Sequence, residues 1–205
     1  MEIKWLKWAS EIQSIAQSGL AFSESQYDID RYQKLRTLSV EIMNEYTEAG
    51  TQKILDLFAS ETGYQTPKVD IRASVFKDDK ILMVREKIDG AWSLPGGWAD
   101  INTSPGESAI RECLEEAGAK VKPYRIIAIH LANRHCDTPY LYSIYKIFIE
   151  CELTEYHFME NTETLDAGFF SLDSLPPLSV ERNNRSQIEM CFEARKHKLF
   201  EAVFD

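Results

Sequence analysis

Residues 94–118 read LPGGWADINTSPGESAIRECLEEAG and join a glycine loop to a short helix. Ser104 is a good N-cap residue, and Glu107 completes a Ser-x-x-Glu capping box with it. Gly118 is the residue type that most often ends a helix, because it adopts the left-handed conformation without strain. The sequence therefore predicts a helix over 104–118 that begins just after a sharp backbone turn.

Three glutamates stand on this helix at spacing i, i+3 and i+4: Glu112, Glu115 and Glu116. This spacing gathers their carboxylates on one patch, where like charges disfavour the helix unless a cation neutralises them. Hard oxygen ligands at this density suit magnesium or manganese. The alternative is a solvated acidic face on which Arg111 pairs with Glu115. The stripe predicted to pack on a sheet is Ala109, Ile110, Cys113, Leu114 and Ala117.

The preceding Leu-Pro-Gly-Gly loop decides between these two interpretations. Glycine lets a backbone turn sharply and approach a ligand closely, which other residues do only with strain. A Gly-Gly pair alone could be a simple turn. A glycine loop joined through a short spacer to a capped helix bearing Arg-Glu-x-x-Glu-Glu-x-Gly is a much more specific pattern, and it favours a metal site over a solvated acidic face.

These residues resemble the signature of the Nudix hydrolases: Gly, five residues, Glu, seven residues, then Arg-Glu-apolar-x-Glu-Glu-x-Gly-apolar. Gly97 opens the motif and residues 111–119 close it with the correct spacing. One position departs, because the first signature Glu falls on Thr103, and Glu107 lies four residues too late to be counted as its replacement. The absence of this glutamate removes either one metal ligand or one catalytic group of the signature. The resemblance implies an α+β fold in which a mixed sheet forms an α/β/α sandwich.

The resemblance extends beyond the motif to residues 19–32, 66–72, 92–100 and 175–179. These segments look like a bacterial Nudix subfamily with a small all-α N-terminal domain. Its members include CDP-choline pyrophosphatases, and many relatives carry an ADP-ribose pyrophosphatase label. The subfamily tends to lack the first signature Glu, as this chain does at Thr103.

The resemblance implies that Glu112, Glu115 and Glu116 hold Mg²⁺ or Mn²⁺, with the backbone carbonyl of Gly97 as a further ligand. Arg111 would orient one of the glutamates. The implied substrate is a nucleoside diphosphate linked to another moiety, with a CDP-choline-like compound favoured. Water attacks one phosphorus and a nucleoside monophosphate leaves, a reaction that needs cations to screen the pyrophosphate charge.

The general base and the substrate contacts lie outside the motif. Glu163, in the loop before the strand at 169–170, is the predicted base, with Glu116 as the alternative. Arg72 and Arg85, on the strands before the glycine loop, are predicted to reach phosphate or base, although either could form a surface ion pair instead. Trp98 is predicted to stack on the base.

The spacing of hydrophobic residues along the chain changes near residue 66. Before it, apolar residues recur at helical spacing in three segments, the first carrying Trp5, Trp8, Ile12 and Ile15 and ending at Gly19. After it, period-two alternation and short apolar runs predict strands, and a last helix follows. We therefore expect a helical domain over 1–66 and a hydrolase domain over 67–205. The predicted strands are 69–75, 81–84, 126–129, 141–153 and 169–170, and the last helix contains Ile188, Cys191 and Phe192.

Composition excludes several classes of protein. The net charge of −10 disfavours stable DNA binding, which needs clustered cations, although RNA remains possible as a substrate. The four scattered cysteines argue against disulfides and structural zinc. No apolar run is long enough to span a membrane, and the N-terminus does not resemble a secretory signal, so we expect a cytoplasmic protein.

Two expectations stay open at this point. The aromatic residues of the helical region are numerous for so small a unit, so we predict a homodimer, the alternative being packing on the hydrolase domain. These aromatic residues are Trp5, Trp8, Phe22, Tyr27 and Tyr32.

Several functions also stay open. Besides hydrolysis of CDP-choline, they are ADP-ribose hydrolysis, trimming of RNA 3′ ends, and a nucleotide-sensing regulator that lost turnover, the last suggested by Thr103.

Overall fold

The structure, a computed structural model, describes residues 3–48, 50–136, 140 and 143–205. The chain divides into two compact units, the first running to Pro67 and joined by Tyr140 and Ser143, the second beginning at Lys68. Within the described ranges, no helix is both long and apolar enough to cross a membrane.

The first unit contains three helices: α1 (Lys4–Phe22), α2 (Gln26–Tyr46) and α3 (Thr51–Phe58). The predicted apolar stripe of α1 is wrong, because Trp8 and Ile15 are 57% and 58% exposed. The buried face consists instead of Leu6, Ala9, Gln13, Ala16 and Gln17. Its small alanines let α2 pack closely, and Ser39 of α2 donates to Gln13 Oε1 across this face at 3.1 Å.

Gly19 does not end α1, contrary to the prediction, since the helix continues to Phe22. The glycine lies against the ring of Tyr32, and a Cβ at position 19 would stand 2.3 Å from that ring. Gly19 is therefore a packing residue that lets α2 approach α1, rather than a helix stop.

The second unit is a mixed sheet with two helices, which confirms the predicted fold class. Strand order is β3-β2-β1-β5-β4-β7, with β6 on the other edge of β2. β1 pairs antiparallel with β2 and parallel with β5. The strands are β1 (Lys68–Lys77), β2 (Lys80–Glu86), β3 (Trp92–Ser93), β4 (Ala119–Leu131), β5 (Ile144–Tyr156), β6 (Thr164–Phe170) and β7 (Val203–Phe204), and the helices are α4 (Pro105–Ala117) and α5 (Arg185–Lys196).

Each helix covers one face of the sheet. Cys113 of α4 belongs to the cluster that contains Ile71 and Val84, whereas Cys191 of α5 belongs to the cluster around Phe148. Each predicted strand overlaps an observed one, although β4 and β6 are longer than expected and β5 extends to Tyr156. β3 and β7 were missed because two residues cannot show an alternating pattern. Positions 141 and 142 of the predicted 141–153 strand lie outside the described residues.

Both ends of α4 form as predicted. Glu107 N–H donates to Ser104 Oγ at 3.2 Å, and Ser104 N–H donates to Glu107 Oε2 at 2.8 Å. Gly118 closes the helix at φ 60°. The predicted apolar stripe is partly wrong, because Ile110 and Leu114 are 40% and 50% exposed. The residues buried instead are Ser108, Ala109, Glu112, Cys113, Glu116 and Ala117.

The two ends of α4 allow a matched test of how the helix is fixed. Gly118→Ala should cost at least about 2 kcal/mol of stability, because it combines a left-handed backbone with a Cβ 2.0 Å from His157 O. Gly106→Ala should be neutral or stabilise by up to about 1 kcal/mol, since its Cβ meets only Pro123 at 3.7 Å. Urea unfolding measures both, and equal effects would contradict this account.

Candidate active site

The glycine loop, residues 94–97, lies against β1. Ile71 N–H donates to Gly97 O at 2.8 Å, which holds the loop on the strand. Gly96 has φ 148°, and a Cβ there would stand 1.9 Å from Ile71 O, so only glycine fits. This close approach leaves Gly96 N–H free to donate to Glu116 Oε2 at 2.8 Å.

Two glutamates of α4 are buried beneath this loop. Glu112 and Glu116 are 6% and 3% exposed. Burial raises the pKa of Glu116 to about 8, against the opposing charge of Arg72. Burial also raises the pKa of Glu112. Glu112 Oε1 lies only 3.2 Å from the place where a Cβ of Gly97 would be, so the glycine makes room for this carboxylate.

Glu115 differs from the other two. Its side chain is 60% exposed and pairs with Arg111 Nη1 at 3.3 Å. Arg111 Nη2 donates to Glu112 Oε1 at 2.8 Å and reaches Asp100 Oδ2 at 3.2 Å. The predicted patch of three glutamates is therefore two buried carboxylates with a third at the rim, and Arg111 orients Glu112.

Glu163 is exposed on a loop that is fixed to the end of α4. Asn161 Nδ2 and Thr164 Oγ1 donate to the backbone carbonyl of Glu116 at 3.3 and 2.7 Å. These two contacts hold the loop that carries the predicted base against the last turn of α4.

Glu163 also lines an open cleft of about 340 Å³. The cleft also contains an ion pair that was not predicted: Glu86 is only 2% exposed, and Arg182 Nε lies 3.0 Å from Glu86 Oε1. Lys146 donates to the carbonyls of Glu181 and Arg182 and so holds this arginine in place. No short-range pattern could have found the pair, because it forms between distant segments. The cleft is lined by Glu86, Lys87, Ile88, Thr162, Glu163 and Arg182.

Arg72 lies near the glutamates but is 2% exposed and engaged within the protein. Its Nε and Nη2 each donate to Asp70 at 2.8 Å, and its Nη1 donates to Leu94 O at 3.2 Å. These contacts hold β1 and the glycine loop together. Substrate binding by Arg72 remains a prediction, and its contacts favour a positioning role.

The other two predicted substrate residues are more exposed. Arg85 donates to Gly90 O at 3.0 Å within its own hairpin and is not among the residues that line the described cleft. Trp98 is 47% exposed and directly follows the glycine loop. Trp92, by contrast, packs edge-on against Phe170 with ring centroids 4.7 Å apart and belongs to the core.

Thr103 has a structural role at the position of the missing signature Glu. Its Oγ1 donates to Asp100 O at 2.6 Å and contacts Ser108 Oγ at 3.3 Å, which closes the turn before α4. Glu107 is used in the capping box and does not replace the missing carboxylate. In the part of the chain that the structure describes, Cys113, Cys136, Cys151 and Cys191 form no disulfide.

The donor set fits a divalent cation with a preference for oxygen. Two buried carboxylates lie against a loop whose glycines leave room for them, and burial favours a carboxylate that a proton or a cation neutralises. Gly97 O uses one of its two lone pairs on Ile71 N–H, so its role as a further ligand remains a prediction.

A capped helix that buries two carboxylates under a glycine turn, on a mixed sheet between two helices, defines a class of hydrolases acting on phosphoanhydrides. The family model described as NUDIX domain matches residues 61–191, and the chain belongs to the Nudix family of hydrolases. Nudix hydrolases generally use divalent metal ions. Residues 3–58 match a second model, described as a UDP-X-like, N-terminal oligomerisation domain.

Several relatives resemble this chain over much of its length. YjhB of Bacillus subtilis (strain 168), provisionally described as an ADP-ribose pyrophosphatase, is 44% identical over all of this chain and 99% of its own. An ADP-ribose pyrophosphatase structure from Streptococcus suis 89-1591 is 43% identical, with TM-score 0.64, over 68% of this chain and all of its own. A UDP-X diphosphatase structure is 31% identical, with TM-score 0.64, over 98% of both chains.

The raised pKa of Glu116 predicts how the stability of metal-free protein depends on pH. Folded protein keeps this proton up to about pH 8, whereas the unfolded chain loses it near 4.5. The folded state therefore binds the extra proton between these values, and stability falls as pH rises through that window. Glu116→Gln should remove a fall on the order of 1–3 kcal/mol.

Urea unfolding with a chelator, at about pH 5 and about pH 8, measures this difference. An equally steep fall in the Gln variant would show that Glu116 is not the group responsible. Glu160→Gln is the control, because its side chain is 64% exposed and should leave the pH dependence unchanged.

Proposed function

We propose that this protein hydrolyses the pyrophosphate linkage of a nucleoside diphosphate derivative with Mg²⁺ or Mn²⁺. The observation that carries the proposal is the burial of Glu112 and Glu116 against the glycine loop. These two would hold the cation, with Glu115 added from the rim. A bound divalent cation supplies charge screening for the pyrophosphate and activation of the attacking water.

The remaining residues of the site position groups or move protons. Arg111 orients the Glu112 carboxylate, and the contacts of Asn161 and Thr164 to Glu116 O present Glu163 to the cleft. Glu163, exposed and beside the buried pair, would accept the proton of the attacking water. Glu116 remains the alternative base, but its contact with Gly96 N–H favours a ligand role.

The descriptions of the relatives favour a particular order of substrates. ADP-ribose comes first, because two relatives at 43–44% identity carry that description. CDP-choline, favoured by the sequence resemblance, remains a prediction, and a UDP-linked compound is a further candidate. Trp98 offers a half-exposed ring for a base or sugar, and Arg182 adds positive charge to the cleft.

The deciding experiment incubates the protein with Mg²⁺ or Mn²⁺ and one substrate at a time, then measures nucleoside monophosphate release. The panel contains ADP-ribose, CDP-choline, a UDP-sugar and a short RNA. We expect release from at least one of the first three and none without a divalent ion. Nucleotide binding without formation of nucleoside monophosphate would support a regulator. Release of monophosphate from RNA alone would support trimming of RNA ends. Either result would contradict the proposal.

The role of Glu163 predicts a separation of turnover from ion binding. Glu163→Gln should lower kcat by about 10²–10⁴-fold, the usual contribution of a positioned base, while leaving ion affinity within about threefold. The matched control is Glu160→Gln on the same loop, whose carboxylate pairs with Lys87 at 3.3 Å. Similar kcat values for both variants would rule out Glu163 as the base.

We also propose that the chain is a homodimer joined through α1. Trp8, Ile15 and Phe22 are 57%, 58% and 73% exposed and recur every seven residues, so they form one apolar stripe on the helix. A second copy of this stripe is an occupant of matching chemistry and length. The match of residues 3–58 to an oligomerisation domain supports this proposal.

Charge on this stripe should separate the subunits. The double variant Trp8→Glu, Ile15→Glu should run as a monomer in light scattering at concentrations where the unmodified chain is a dimer. Leu199→Glu, at a 96% exposed apolar residue of the other unit, is the control and should remain dimeric. A monomeric unmodified chain, or a dimeric double variant, would contradict the proposed interface.

A further inference from the structure

A second cluster of potential metal ligands lies away from the glutamate site. His130 on β4, His135 just after the short 3-10 turn Ala132–Arg134, and Asp205 just after β7 each offer one ligand atom, and these atoms lie within 4.8 Å of one another. Three separate segments of the second unit therefore meet at one end of the β4 and β7 strands.

His130 is the residue that distinguishes this cluster from an ordinary surface ion pair. It is 6% exposed, and its Nδ1 is buried with no hydrogen-bond partner among the described residues. Leaving a buried polar atom unsatisfied costs roughly 1–3 kcal/mol, so such atoms in folded proteins usually have a partner or a ligand. The His130 ring also packs edge-on against Phe148 at 5.5 Å, which fixes its position.

His135 and Asp205 complete the cluster. His135 Nε2 lies 3.1 Å from Asp205 Oδ1, and the two imidazole rings stack with centroids 3.8 Å apart. Arg134 pairs at 3.6 Å with Asp205 Oδ2, the other oxygen of the carboxylate. Asp205 Oδ1 thus faces His135, while Arg134 partly balances the negative charge of the Asp205 carboxylate.

We infer that His130, His135 and Asp205 bind a divalent transition-metal ion of the zinc class. Two imidazole nitrogens and one carboxylate oxygen are ligands that Zn²⁺ prefers, whereas Mg²⁺ prefers oxygen alone. The site is therefore chemically distinct from the glutamate site. It does not depend on the proposed catalytic activity.

Binding of an ion requires the three ligand groups to rearrange. The stacked rings are within 6° of parallel, so their in-plane lone pairs run side by side and do not converge on one ion. Zn–N bonds of about 2.0–2.1 Å place neighbouring ligand atoms about 3.3 Å apart, so the cluster must also contract. His135 is the ring that turns, because its side chain is 28% exposed and follows a short turn, whereas His130 is packed.

An ion bound at this site would act as a cross-link, here called the clasp, between β4 and β7 at the edge of the sheet. β7 pairs with β4 at only two positions, Ala128 with Val203 and Ile129 with Phe204. Beyond these positions, Leu131 N–H donates to both carboxylate oxygens of Asp205, at 3.1 and 3.2 Å. An ion held by His130 and Asp205 would add a second link at this end of the two strands. We expect the clasp to stabilise this edge and to leave the glutamate site unchanged.

Cobalt(II) is the probe for this site, because its visible spectrum reports nitrogen ligation and tetrahedral geometry. The titration uses the full chain carrying Glu112→Gln and Glu116→Gln, so that the glutamate site does not compete for the ion. We expect a visible band that Zn²⁺ abolishes and Mg²⁺ does not. His135→Ala should weaken Co²⁺ binding at least about tenfold.

Three further variants keep the result interpretable. His130→Gln removes the buried ligand, and circular dichroism checks its fold; should it unfold, the more exposed His135 and Asp205→Asn still test the site. His157→Ala, at an exposed histidine, is the control and should bind Co²⁺ normally. No visible band in the titrated protein, or a band of equal affinity in His135→Ala, would overturn the inference.

Discussion

The burial of two carboxylates under a glycine turn is the constraint on which the site depends. Glu112 and Glu116 lie on the covered face of α4, where an ionised carboxylate is unstable until a cation or a proton neutralises it. Gly96 permits the contact because no Cβ would fit against Ile71 O. Arg72, bound to Asp70 and to Leu94 O, keeps the loop on β1. These features hold two carboxyl groups against the glycine loop, where a cation or a proton can neutralise them.

The fold also assembles a cleft from distant segments of the second unit. The sheet positions α4 through its buried alanine and cysteine face, and the carbonyl of Glu116 in turn fixes the loop that carries Glu163. Lys146 on β5 secures the carbonyls of Glu181 and Arg182, and so places an arginine opposite Glu86 in the cleft. The cleft is thus assembled from groups far apart along the chain, each held by a backbone carbonyl or a buried ion pair.

Local chemistry was predictable from the sequence, whereas the orientation of helices was not. The caps of α4 depend on neighbouring residues, and both form as expected. Helical periodicity shows which residues share a face but not which face meets the sheet, so Ile110 and Leu114 were placed inside although they are exposed. The same error occurred in α1, where small residues pack inside and Trp8 lies outside. Arg182 and Glu86 escaped prediction because only tertiary packing makes them neighbours.

The central claim is that Glu112 and Glu116 hold divalent cations together. Titration of Mn²⁺ into the full chain, followed by the electron paramagnetic resonance signal of the free ion, tests it without reference to any substrate. Glu112→Gln with Glu116→Gln should abolish the binding seen in the unmodified protein, while Glu160→Gln retains it. Unchanged Mn²⁺ affinity in the double variant would contradict the account.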